Sequence, residues 1–390
     1  MSAGKPLSLI PTVYRVSSCC RLHRCERVSS AFRSACLSVP LVRSYSICSK
    51  MEGVTLPRES GRIITETAND VFIDQNGITK VAQVIVDKVK KKEFDVKTWK
   101  EHPLNPKTSD KAAVDWVFLA DTLNFSFWSE DERKKYMVKY KGGEHTGYWS
   151  LCAAMNRAID EGIPITDPNY YATISHNDFM KVFRSDSDHE IPLIDKRIEI
   201  MQEAGKVLLK KYTGSFVNCI KECDKSAQKL LQLIVRDFPS FRDVVNHNGK
   251  QLGILKRAQI LIADVWGACE GKGVGEFTDI DTITMFADYR IPQALVYFGA
   301  MKYSEALMEK LKKDTPMENG DRLEVEIRGV SIWVTELIRD EAVKILKADP
   351  ETKDVEVNAV LIDHYLWDYR RDHATDMADI PFHKVRCIYY

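Results

Sequence analysis

The chain has 390 residues, 44% of them hydrophobic and 29% charged, room for one large domain or two ordinary ones with a sizeable core. Its 56 Lys/Arg balance 56 Asp/Glu, but residues 1–50 hold eight basic residues against one acid, Glu26, which leaves 48 basic and 55 acidic residues in 51–390. A mildly acidic body argues against a nucleic-acid polyanion as the main partner.

Residues 1–50 are rich in Ser, Arg and Cys, with five cysteines (Cys19, Cys20, Cys25, Cys36, Cys48). Two readings stand side by side: a mitochondrial presequence and a disordered extension. Met51 reads like a second start, and the leader is expected to be dispensable for folding. The body holds Cys152, Cys219, Cys223, Cys269 and Cys387 without a CxxC pair, which speaks against a secreted disulfide framework. Cys219 and Cys223, one helical turn apart, read as reduced thiols on a helix. No apolar run approaches the roughly 18 residues of a membrane span.

In chain order, Leu56 to Thr67 suggests a capped first helix. ITKVAQVIVDKVKKK (78–92) carries an apolar stripe of Val81, Val84, Ile85 and Val89. Residues 96–107, with Pro103 and Pro106, read as a loop. Its His102 is either a surface histidine or a polar arm reaching into a pocket. Residues 112–132 begin helical and turn aromatic at Phe125, Phe127 and Trp128, as core or as a wall for a flat ring. The Gly-containing stretch after Lys139 lacks a Walker spacing and reads as a turn before a helix, where backbone N–H groups can meet an anion.

Further amphipathic helices are expected over 193–212 and 216–235, with a break at Pro239. LGILKRAQILIADVWGA (252–268) is apolar on nearly all sides and belongs at the centre. Its Arg257 and Asp264 share a face, as a salt bridge or with a cation supporting a phosphate. Residues 275–293, GEFTDIDTITMFADYRIPQ, interleave Asp279, Asp281 and Asp288 with aromatics, an arrangement that needs a partner or a task for each carboxylate. Asp288 is open to two readings, a helix N-cap or a carboxylate held at a cleft. A long helix follows through Ile345, and NAVLIDHYLWDYRRD (358–372) puts Asp363 and Trp367 on one face. With no βαβ rhythm, the expectation is a mostly α single domain over 51–390, with at most short strands.

FTDID…TMFADYRIPQ, together with KRAQILIADVW and LIDHYLWDY, resembles the queuosine salvage proteins, N-glycosidases that release queuine from queuosine 5'-phosphate. The resemblance spans Met51 to Tyr390. It implies a fold akin to the helical DNA glycosylases, although the usual glycine-rich hairpin of those proteins is missing here. It implies that Asp288 is the catalytic carboxylate, against the oxocarbenium-like sugar. By the same resemblance Phe277, with Asp279 or Asp281, contacts the 7-deazaguanine base. Asp363, Trp367 and Asp368 close around its cyclopentenediol arm, His102 reaches in, and Arg290, Lys256 and Tyr289 are the phosphate candidates. No metal or organic cofactor is implied. The expected partner is the small nucleotide, without stable nucleic acid or membrane. The protein is expected to be a monomer in the cytoplasm, the basic leader offering a mitochondrial address. The competing reading is a helical nucleic-acid-binding or adaptor module without catalysis.

Overall fold

The computed structural model describes residues 53–131 and 133–390; the readings made for residues 1–50 lie outside them. The fold is mostly helical, as the periodicity predicts, with short strands between the helices. In order these are β1 (Val54–Thr55), α1 (Pro57–Thr67), β2 (Val71–Ile73), α2 (Gln75–Lys90), α3 (Lys111–Thr122), β3 (Met137–Tyr140), β4 (Gly143–Thr146), α4 (Tyr148–Asp160), α5 (Pro168–Tyr171), α6 (His176–Val182) and α7 (Ile194–Lys211). There follow α8 (Phe216–Lys221), α9 (Ala227–Asp237), β5 (Val244–His247), β6 (Lys250–Gly253), α10 (Lys256–Ala268), α11 (Ile291–Tyr297), β7 (Met301–Tyr303), α12 (Glu305–Lys312), α13 (Arg322–Lys347) and α14 (Ala359–Asp372). Among the described residues no helix is long and apolar enough to cross a membrane.

The strands are where local pattern and structure part. β3 and β4 form a hairpin across Lys141–Gly142, and β5 and β6 one across Asn248–Gly249. All four turn residues have positive φ, the backbone that two-residue hairpins require and that Asn-Gly adopts readily. The helix expected from Leu252 therefore begins only at Lys256, because 250–253 is spent on β6. β1 joins β6 in parallel, and β2 pairs antiparallel with β7. Residues 96–101, expected as loop, make a 3-10 turn capped by Asp95.

The core divides into two apolar clusters. One gathers α3, α4 and α7–α10. The other gathers α1, α2, α11 and α13. α1 crosses α13 closely because each presents a glycine: a Cβ on Gly61 would lie 2.7 Å from Ile332 Cγ2, and one on Gly329 would lie 2.5 Å from Ile64 Cδ1. Cys219 and Cys223 are buried thiols, and Cys223 Sγ donates to the Cys219 carbonyl at 3.2 Å.

A buried arginine ties the two halves together. Arg328 of α13 donates through Nη2 to Asp243 Oδ2 at 2.6 Å and through Nη1 to Glu324 Oε1 at 3.1 Å. Its Nε donates to the Ala287 carbonyl at 2.9 Å. Asp243 Oδ2 also accepts the Lys256 N–H at the start of α10, at 3.1 Å. Tyr390 lies under the guanidinium, 4.0 Å from its ring centroid, and donates its hydroxyl to Glu324. Burial works against the Arg328 charge, but Asp243 and Glu324 outweigh it and hold the pKa above its ordinary value.

Removing one partner of such a group strands the others without compensation. Arg328→Leu is expected to cost about 3–5 kcal/mol of unfolding free energy. Urea denaturation checks this; a loss within the ordinary range of a surface substitution, about 0.5 kcal/mol, would show the network to be dispensable.

Candidate active site

A cavity of about 420 Å³ opens along the seam between the two clusters, within the size range of small-molecule sites. Helical spacing supplies two of its walls. Lys256, Ile260 and Asp264 recur every four residues on α10, and Asp363, His364, Trp367, Asp368 and Arg371 share one face of α14. The remaining walls are irregular backbone: the turn ending at His102, residues 124–128 after α3, the start of α4 and residues 286–290.

The aromatic side is tightly ordered. His102 stacks on Trp149 with centroids 3.3 Å apart and planes 8° apart. Trp367 meets Trp149 edge-on at 5.7 Å, and the Arg371 guanidinium lies 4.9 Å from the Trp367 ring centroid. Burial, reinforced by Arg371, pushes the His102 pKa down to about 4. His364 is brought to about 4 by burial alone. Both imidazoles are therefore neutral near pH 7.

The acidic side is anchored by backbone. Asp288 Oδ1 accepts the N–H groups of Arg290 at 2.7 Å and Ile291 at 2.9 Å. Asp288 lies two residues ahead of Arg290, the N-cap of α11, so the N-cap reading is not met; its Oδ1 instead braces the turn that leads into the helix. Asp363 Oδ1 accepts the Phe286 N–H at 2.9 Å, while the Phe286 carbonyl accepts the Asp288 N–H at 2.7 Å. One residue thereby spaces the two carboxyl groups. Burial, and then the charge of Asp288, push the Asp363 pKa well above the carboxylate range. Asp368 is raised to about 6 by burial and by Asp372, against the pull of Arg371. Lys256 donates Nζ to the Asn124 carbonyl at 3.2 Å; burial lowers its pKa while Asp288 and Asp121 oppose the shift.

On the α10 wall, Asp264 accepts the Trp99 indole N–H at 2.9 Å. Burial, and then the neighbouring Asp121 of α3, drive its pKa well up. Asp121 is itself raised by burial. The salt bridge expected between Arg257 and Asp264 does not form. Seven residues of helix separate them by about 10 Å along the axis, and Arg257 instead donates to the carbonyls of Thr122 and Ser240.

His102, Lys256, Asp288, Tyr289, Arg290, Asp363, Trp367 and Asp368 all line the cavity. Phe277, Asp279 and Asp281 are not among its lining residues, which corrects their expected place against the base. Asp279 is occupied elsewhere: it accepts from Ser226 Oγ at 2.7 Å and from the Ala227 N–H at 2.5 Å, at the start of α9. Phe277 is buried in the first core cluster. Asp281 is exposed, and its carbonyl accepts from Arg58. Residues missed by sequence reasoning include Trp149, His364, Arg371 and Tyr390. His364 and Arg371 share the face of Asp363 and Trp367, so helical spacing alone places them; Trp149 and Tyr390 carry no such signal.

A family model described as "Queuosine salvage protein" matches residues 104–390. A Bos taurus protein named "Queuosine 5'-phosphate N-glycosylase/hydrolase" is 54% identical over 341 residues, covering 87% of this chain and 100% of its own length. Proteins of the same name from Schizosaccharomyces pombe and Sphaerobacter thermophilus are 41% and 33% identical, covering 85% and 84% of this chain and 99% and 96% of their own.

The Asp121–Asp264 pair makes stability depend on pH. A buried carboxyl with a raised pKa keeps a proton that the unfolded chain has released, so rising pH favours unfolding. The wild-type melting temperature should fall as pH climbs from about 4, the unperturbed carboxylate value, towards neutrality. Asp121→Asn should flatten that slope. Parallel melting-versus-pH curves for the two proteins would show that the pair holds no proton.

Proposed function

The chain belongs to the queuosine salvage protein family, and on that premise we propose that it hydrolyses the N-glycosidic bond of queuosine 5'-phosphate to give queuine and ribose 5-phosphate. The observation that carries the reading is the fixed carboxylate of Asp288 at the wall of an aromatic cavity. Breaking the bond leaves an oxocarbenium-like sugar, and a preorganised carboxylate stabilises the developing positive charge. The charge acts more strongly there than in water, because the cavity wall partly shields it from solvent. Its two backbone hydrogen bonds mean that little reorganisation accompanies the reaction.

The other walls suit the rest of the substrate. His102, Trp149 and Trp367 offer ring faces and edges to the flat base. Asp368, on the α14 face, is the carboxylate for the amine of the cyclopentenediol arm. Arg290 and Arg371 are the cations for the 5'-phosphate. Lys256 is buried deeper, between the carboxylates, and serves as their countercharge.

The direct test is incubation with queuosine 5'-phosphate, the nucleoside and intact tRNA, with free queuine measured. Release from the nucleotide is expected, and none from any of the three would overturn the reading. Asp288→Asn should slow single-turnover release by about 10²–10³-fold or more while ligand affinity holds. Asn keeps an oxygen that can accept the same two N–H groups, so the melting curve should barely move. Near wild-type turnover in this variant would remove Asp288 from the chemistry. Trp367→Ala should raise KM more than it lowers kcat, since stacking acts on ground and transition states alike; an unchanged KM would leave Trp367 a packing residue.

A further inference from the structure

The departing base poses its own problem, separate from the sugar. A 7-deaza purine has carbon where a purine has N7 and cannot be protonated there, so the electron pair left by the C–N bond must be neutralised by a donor elsewhere on the ring. Among the carboxyl groups at the cavity wall, Asp363 is placed for this. It is buried on the α14 face that lines the cavity. Its Oδ1 is fixed by the Phe286 N–H, and the same residue's carbonyl fixes the backbone of Asp288. The two carboxyl groups are thus held on a common rigid segment. The charged neighbours of Asp363 are Asp288 on that segment, Lys256 on α10 and Asp368 on its own helix, with Asp264 of α10 also within electrostatic reach. Asp368 also faces Arg371, which leaves the buried Lys256 against Asp264, Asp288 and Asp363, so some of these must carry protons. Asp264 spends an oxygen on the Trp99 indole, and Asp288 is needed ionised.

We propose that Asp363 is the general acid of this hydrolysis, resting on the reading of the site as a queuosine 5'-phosphate hydrolase. As the glycosidic bond breaks, its electron pair passes to the base, and the Asp363 carboxyl proton is transferred there, giving neutral queuine. Water then bonds to the anomeric carbon facing Asp288, and the proton it sheds restores the Asp363 acid. The two carboxyl groups divide the work, Asp288 as charge stabiliser and Asp363 as acid.

The test is the pH profile of single-turnover queuine release for wild type and Asp363→Asn, with queuine affinity and melting curves alongside. The acid form is the active one, so the wild-type rate should fall on the alkaline side. Asp363→Asn keeps the acceptor for the Phe286 N–H but has no proton to give. It should release queuine about 10²–10³-fold more slowly, bind queuine with little change, and lack the alkaline limb. A variant as fast as wild type overturns the proposal. So does one slowed equally at every pH with the limb in place, or a wild-type profile flat on its alkaline side. Should Asp363→Asn fail to fold, Asp363→Glu replaces it: a displaced limb supports the acid and an unmoved limb overturns it. Wild-type protein that releases no queuine at all refutes the parent reading instead.

Discussion

Arg328 is the constraint on which the other arrangements depend. A fully buried guanidinium is tolerable only when its donors are matched, and those of Arg328 go to Asp243, Glu324 and the Ala287 carbonyl. Each bond fixes a different piece of chain. Asp243 holds the first N–H of α10, and so the helix that carries Lys256 and Asp264. Glu324 holds Tyr390 at the cavity wall. Ala287 is the residue before Asp288. The interaction costs desolvation and returns register: three segments far apart in sequence are aligned to one side chain of α13.

The cavity follows from that alignment. It lies where two apolar clusters meet without merging, and Trp367 packs against both. Such a seam is lined by helix faces that would otherwise be core, so several of its polar residues are buried and strongly perturbed. Burial neutralises His102 and His364 and favours the protonated forms of Asp363 and Asp264. The neutral imidazoles then serve as flat surfaces. His102 stacks nearly parallel on Trp149.

What was legible in the sequence was what helical period controls. The α14 face and the central position of α10 follow from spacing, and eight of the residues assigned to the site lie on the cavity wall. The strands were not legible as helix-breaking signals, although Asn248-Gly249 is a hairpin turn sequence. An apolar run starting at Leu252 looked continuous with the helix behind it. The acidic run at 277–281 misled for a related reason. A carboxylate near aromatics satisfies its hydrogen bonds with whatever donors the fold supplies, and for Asp279 these are the N–H groups at the start of α9. Only tertiary structure distinguishes that use from catalysis. Contacts such as His102 with Trp149, or Trp99 with Asp264, join segments whose separation no local pattern encodes.

The backbone bonds of Asp288 bear on the chemistry as well as on the fold. A carboxylate free to rotate would relax towards any cation or water in the cavity and lose part of its advantage when charge develops on the sugar. Two backbone N–H groups on Oδ1 remove that freedom without consuming Oδ2. Asp363 has one such bond and deeper burial, and the balance tips towards its protonated form. The two chemically identical side chains thus differ in their backbone support, two donors against one. That difference is set by where α11 begins and where Phe286 lies, so the same turn that ends the extended segment also divides the roles of the two acids.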